Sequence, residues 1–260
     1  MNVIEKKIIS VLKELKEDFG VIEIKAEFEA EGSRVDEMMR LKDVTASAGL
    51  PVLLKIGGVE AITDIYIGLS LGVQGLNAPM AETPFALQKY LSAIKTFIPE
   101  DNREELSCSF NLETITACNN LDDMLALEDI SFLDGMTIGR VDLTGSLYKG
   151  RDYIESEEVF QLCHTAFTKA RAKGLRCAMG GGISTEALPN VQRLVDEKLI
   201  DKYETRKIVF SADSVKYGEK AILKAVEFEL LWLQSKQRFY SRAATEDANR
   251  IVMLQKRLDA

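Results

Sequence analysis

Asp134-Gly-Met-Thr-Ile-Gly-Arg140-Val-Asp142-Leu-Thr-Gly-Ser-Leu147 is the stretch from which the fold of this 260-residue chain is read. Its apolar part, 135–141, predicts a short strand that ends in a charged pair and opens into a polar turn. Side chains alternate along a strand, so Arg140 and Asp142 are expected on one face. An arginine and a carboxylate presented together at a strand's C-terminal end read as the floor of a site rather than as core.

On either side of this stretch the same unit recurs. Val3, Ile4, Ile8, Ile9, Leu12 and Leu15 fall at helical spacing, which predicts an amphipathic helix over 1–19. Strands are then expected at 21–28, 51–56, 73–78, 106–112, 135–141, 175–179 and 207–212. Helices are expected between them at 34–48, 59–71, 83–97, up to 127, 156–173 and 184–198, with Thr83-Pro84 marking one start. Two more, 218–237 and 245–258, close the chain.

Strands alternating with helices indicate a parallel α/β protein. Its strands differ from the doubly apolar ones of an open sheet. Lys25 and Glu27, Lys55, Asn77, Ser109, Asn111 and Glu113, and Arg140 and Asp142 all place polar groups near C-terminal strand ends. Convergence of such groups at one end is the mark of a closed (β/α)8 TIM barrel. The expected architecture is therefore a single domain over 1–260, an atypical barrel with seven identifiable strands. It has an N-terminal helix over 1–19 and a helical extension over 219–260.

A formal charge of -8 disfavours a nucleic-acid partner. Charges interrupt the first 16 residues, against a signal peptide, and no apolar run is long enough to span a bilayer. Cys108, Cys118, Cys163 and Cys177 form no CxxC pair, which fits a reducing, cytoplasmic setting. His164 is the only histidine, which rules out a His-rich metal site, and its mid-helix position reads as a surface or packing residue.

The strand-end residues comprise carboxylates (Glu27, Glu113, Asp142), cations (Lys25, Lys55, Arg140) and amides (Asn77, Asn111). Carboxylates with few histidines form the hard-oxygen set that suits Mg2+ or Mn2+. Cations beside such an ion would bind an anionic substrate and spread developing negative charge. Together they point to enolate chemistry on a carboxylate-bearing ligand. Gly180-Gly181-Gly182, followed by Ile183 and Ser184, could receive a phosphate or carboxylate of the substrate, or could simply form a tight turn.

Asn111-Leu-Glu113-Thr-Ile-Thr-Ala, followed by Thr137-Ile-Gly-Arg-Val-Asp142-Leu-Thr-Gly-Ser-Leu, resembles the HpcH/HpaI aldolase/citrate lyase family of the phosphoenolpyruvate/pyruvate-binding TIM-barrel superfamily. The 29 residues from Glu113 to Asp142 equal about one β/α unit. The resemblance implies that Glu113 and Asp142 ligate the divalent metal. Glu82, in Ala78-Pro-Met-Ala-Glu82-Thr, offers an alternative to Glu113 that strand order disfavours. It further implies a carbon-carbon lyase acting on a 2-oxo acid through a pyruvate-like enolate, and a homo-oligomer built through the C-terminal helices. Two departures bear on the chemistry. Lys55 stands where the family has a strand-borne arginine, and the stretch from Lys25 to Gly32 lacks the family's histidine base. Proton transfer then falls to Glu27 or Lys25. A non-aldol enzyme acting on phosphoenolpyruvate or an acyl-CoA, or an idle metabolite-binding barrel, are the alternatives.

Overall fold

Eight strands, not seven, close the barrel. The computed structural model describes residues 1–259. The strands are β1 (Val21–Glu27), β2 (Val52–Lys55), β3 (Gly75–Ala78), β4 (Ser107–Leu112), β5 (Gly135–Gly139), β6 (Arg176–Gly180), β7 (Lys202–Glu204) and β8 (Ile208–Ser211). Around them run α1 (Val3–Phe19), α2 (Val35–Ser47), α3 (Ile62–Leu71), α4 (Pro84–Phe97), α5 (Glu100–Glu105), α6 (Ile115–Leu125), α7 (Arg140–Ser146), α8 (Glu157–Ala172), α9 (Leu188–Asp196) and α10 (Gly218–Leu258). Among the described residues no helix is long and apolar enough to cross a membrane.

The strand that sequence reading misses is β7. Its three residues, Lys-Tyr-Glu, alternate polar and apolar over too short a run to register as a period. Strands β1 to β7 pair in parallel, and β8 runs antiparallel to both β7 and β1. The cause is local. Only Thr205, Arg206 and Lys207 link β7 to β8, and a three-residue connection can make a hairpin but not a parallel crossover.

Reversal of β8 decides where the chain goes next. Ser211 ends the strand beside Gly20, at the N-terminal face of the barrel. α10 therefore starts at that face and climbs, antiparallel to α1, with Lys224 meeting Glu14 at 2.9 Å and Glu227 meeting Lys7 at 3.7 Å. Higher up, Lys236 and Tyr240 bond Glu37 near the start of α2. The two expected C-terminal helices are thus one continuous helix of 41 residues, because nothing between 238 and 244 breaks it. The expected strand over 135–141 also ends early, at Gly139, where α7 begins.

Outward-facing strand residues such as Ile24, Val52, Leu54, Leu76, Phe110, Ile138 and Met179 are buried beneath the helices. The inward face is unusually charged. Lys202 donates to Glu23 at 2.8 Å, Lys25 reaches Glu204 at 2.8 Å and Glu27 at 3.3 Å, and Lys207 is bonded to Glu31. Buried charges stay ionised only when paired in this way, and removing one partner strands the other. Lys25→Met is expected to lower unfolding stability by about 3 kcal/mol, read from urea denaturation, because Glu204 and Glu27 lose their shared cation.

Candidate active site

A cavity of about 450 Å3 opens at the C-terminal ends of the strands, where barrel chemistry is housed. Six carboxylates (Glu27, Glu29, Glu113, Asp142, Glu204, Glu229) and four cations (Lys25, Lys55, Arg151, Arg206) line it, together with Asn111, Thr137, Gly139, Gly181 and Gly182. Three of the cations are engaged. Lys25 holds Glu204 and Glu27, Lys55 holds Glu29 at 2.9 Å and Glu113 at 3.4 Å, and Arg206 holds Glu31 at 3.1 Å.

Glu113, just past β4, is the most elaborately placed of the carboxylates. Its Oε1 accepts from the Met80 backbone N–H at 2.9 Å, and its Oε2 accepts from Asn111 Nδ2 at 2.9 Å and from Lys55. Met80 sits at φ 51, a conformation that a non-glycine residue holds only when its surroundings impose it. Gly139 leaves room for the carboxylate, since a Cβ there would run into Glu113 Oε2. Burial pushes the Glu113 carboxyl up; Lys55, Met80 and Asn111 hold it down, Asp142 adds to the upward push, and the balance is upward. Asp142, in the first turn of α7, is exposed and has no hydrogen-bond or ion-pair partner among the described residues.

Lys25, Glu27, Lys55, Asn111, Glu113, Asp142, Gly181 and Gly182 are all brought to the cavity wall. Arg140 is not. The strand ends one residue before it, so Arg140 and Asp142 stand two apart on a helix and point in different directions. Arg140 is buried, its Nη1 bonded to both oxygens of Glu155 at 2.9 Å and its Nε donating to the Gly180 carbonyl. It is a structural cation beneath the wall. Asn77 lies deeper in the barrel and donates to Thr137 Oγ1 at 3.3 Å, while Gly180 gives clearance to Glu204. Glu82 accepts from Thr114 Oγ1 at 2.7 Å and is not on the wall. His164 pairs with Glu197 on the outer surface.

Electrostatics divides the two groups expected to move a proton. Burial alone would lower the Lys25 ammonium, but Glu204 and Glu27 outweigh it and raise it, so Lys25 stays a cation and accepts no proton. Burial alone would raise Glu27, but Lys25 and Lys55 outweigh it and hold the carboxyl below its ordinary range. Glu27 is therefore held as the anion. Sequence reading passed over Glu204, Glu29, Arg151 and Arg206. Glu204 was findable once β7 was paired with β8 as a hairpin, because Lys202 and Glu204 then share the inner face.

Among the described residues no three His, Cys, Asp or Glu side chains are grouped to hold a metal. The donor chemistry nonetheless fits a hard divalent ion held by two carboxylates, as Mg2+ commonly is, with water or substrate oxygens completing the shell. Glu113 and Asp142 repel each other, Asp142 lacks a partner, and the wall carries two more carboxylates than cations.

No protein-family profile matches this sequence, and no curated protein matches it. Solved structures do. The HpcH/HpaI aldolase from Desulfitobacterium hafniense DCB-2 superposes with a TM-score of 0.62 at 16% identity, covering 78% of this chain and 82% of that one. The citrate synthase SbnG gives 0.61 at 13% identity, covering 89% of each chain. The citrate lyase beta subunit complexed with oxaloacetate and magnesium from M. tuberculosis gives 0.50 at 14% identity, covering 76% and 85%. At such identities the likeness establishes a shared barrel fold.

Two outcomes are expected of this wall. Gly181 has φ 75, and a Cβ there would overlap the Arg140 backbone nitrogen, so Gly181→Ala should cost about 2 kcal/mol in thermal or urea unfolding. The stability that Glu27 draws from its cations is complete above the ordinary carboxyl value of 4.5 and is lost as pH falls through its lower folded value. Glu27→Gln should accordingly flatten the dependence of Tm on pH below 4.5, while leaving the slope near neutrality unchanged.

Proposed function

We propose that this protein is a metal-dependent carbon-carbon lyase of the aldolase type, acting on a 2-oxo acid through a pyruvate-like enolate. The observation that supports it most directly is the facing pair Glu113 and Asp142, one buried and one unpartnered, in a cavity with surplus negative charge. The fold shared with the aldolase and with the oxaloacetate- and magnesium-bound citrate lyase subunit supports the same reading.

Glu113 and Asp142 would hold Mg2+ or Mn2+. Such an ion supplies Lewis-acid stabilisation of negative charge developing on a 2-oxo acid oxygen. The other roles belong to the chain itself. Lys55, fixed between Glu29 and Glu113, places a point charge toward the substrate's anionic end, without the bidentate fork an arginine would offer. Glu27 accepts the proton from the hydroxyl whose carbon-carbon bond breaks, and returns it to the enolate carbon. Lys25 keeps Glu27 anionic for the first transfer. Asn111 steadies Glu113, and the Gly181-Gly182 backbone forms a close wall with no side chain in the way.

A second reading keeps the same site and changes the reaction. Two ammonium groups make Glu27 a weak base, and no histidine lies on the cavity wall, which favours a non-aldol reaction on phosphoenolpyruvate or an acyl-CoA.

Thermal shift with Mg2+ or Mn2+ tests the metal first. The wild type should gain stability, and Glu113→Gln and Asp142→Asn should not; an unmoved wild-type melting curve sinks the metal site. Release of pyruvate or oxaloacetate from a panel of 4-hydroxy-2-oxo acids then tests the reaction. Lys55→Met should lower kcat/KM by about 100-fold, the scale of one lost electrostatic stabiliser. Metal binding without turnover on any member would favour the second reading.

A further inference from the structure

The loop between β1 and α2 is fastened to the barrel chiefly by charge. The last ladder bond before it runs from the Phe28 N–H to the Lys55 carbonyl at 3.0 Å. From Glu29 to Ser33 the one backbone hydrogen bond among the described residues joins Gly32 N–H to the Glu29 carbonyl, inside the loop itself. Two carboxylates make the outward ties. Glu31 is gripped by both oxygens, Oε1 by Arg206 at 3.1 Å and Oε2 by Lys207, and its side chain is 10% exposed. Glu29 is 27% exposed and meets Lys55 Nζ at 2.9 Å through Oε2, a buried oxygen that accepts no well-aligned hydrogen bond. One tie is thus an anchor, and the other is a bare charge contact.

We propose that Glu29 is a latch that occupies Lys55 in the free protein and is displaced by the carboxylate of the ligand, while Glu31 keeps the loop attached. The inference rests on the reading that Lys55 receives the substrate's anionic end. A ligand carboxylate seated there beside Glu29 and Glu113 would set three negative groups around one ammonium. Like charges at contact repel, so one must leave. Glu113 is buried and fixed by Met80 and Asn111 as well as by Lys55, so it stays. Glu29 stands on the loop, with no hydrogen bond to lose at its buried oxygen, and it yields. Lys25 cannot be freed in this way, because both its carboxylates stand on strands.

The latch bears on the cavity directly. Glu29 and Ala30 both line it, so release of Glu29 widens the space above Lys55 at the moment a ligand claims the cation. It also selects what opens the site. A carboxylate replaces the charge that Glu29 withdraws and adds hydrogen bonds that Glu29 Oε2 does not make; a neutral carbonyl compound offers Lys55 no such exchange. The acid half of a substrate therefore enters before any uncharged half is engaged. Holding Lys55 in reserve lowers the apparent affinity for the anion by the fraction of time the latch is open.

Calorimetric titration of the full chain with pyruvate, in buffer containing Mg2+, tests the latch without an activity assay. Glu29→Gln should bind pyruvate about 10-fold more tightly than the wild type, as expected if the latch is open about one-tenth of the time. Glu229→Gln, at a wall carboxylate that does not touch Lys55, should change the affinity by less than about twofold, as a solvent-screened charge would. Lys55→Met should bind pyruvate poorly with or without Glu29→Gln, because the latch then guards no cation. Wild-type binding that Glu29→Gln leaves unchanged or weakens overturns the latch alone. An equal gain from Glu229→Gln overturns it too, since the effect is then one of overall charge. Absence of pyruvate binding in both the wild type and Glu29→Gln removes the anion site at Lys55, and with it both the latch and the reading on which it rests.

Discussion

Pairing of charges inside a closed barrel is the constraint on which the rest of this structure depends. A barrel lumen is normally filled with branched apolar side chains. Here its layers hold Glu23 with Lys202, Lys25 with Glu204 and Glu27, and Lys207 with Glu31. The desolvation of these groups is large, and only near-contact with an opposite charge makes their burial tolerable. Strand register is tied to that requirement: a slip of one residue in β1 would turn Glu23, Lys25 and Glu27 into the apolar layer beneath the helices. Conformational specificity is the role such a lumen fits, more than added stability.

The same constraint shapes the cavity above. Cations that could greet an anionic ligand are mostly spent on neighbouring carboxylates, so the wall as a whole is negative. Lys25 sets the protonation of Glu27, and Lys55 ties the β1 loop, through Glu29, to Glu113 just past β4. Site and scaffold are consequently one hydrogen-bonded body. Arg140 extends it downward, joining the start of α7 to the end of β6 and to Glu155.

Much of this was legible in the sequence. Polar strand ends, Lys25 and Glu27 among them, pointed to the mouth of a barrel; Glu113 and Asp142 both reached the wall. Misreadings arose where a local boundary governed direction. Two-residue periodicity put Arg140 beside Asp142, but the backbone turns helical at Arg140 and the periodicity no longer applies. β7 was too short to carry a pattern, and with it went Glu204, which is half of the lumen's central ion pair. The continuous α10 escaped because the apolar spacing that marks 218–237 lapses through 238–244, although no Gly or Pro there breaks the helix.

The reversed last strand has a consequence for how the barrel assembles. The β7–β8 hairpin is built from neighbours in sequence, and such units form in about 1–10 μs. Sealing is different: β8 must find β1, with Ile24 opposite Ile208 across 184 residues of chain. During synthesis β1 therefore waits with one edge unsatisfied until the C-terminal hairpin leaves the ribosome, exposing a strand edge of the kind that invites association with other chains. Closure by a preformed hairpin, rather than by a lone parallel strand with its long crossover, delivers two edges in one docking event and shortens that interval of exposure.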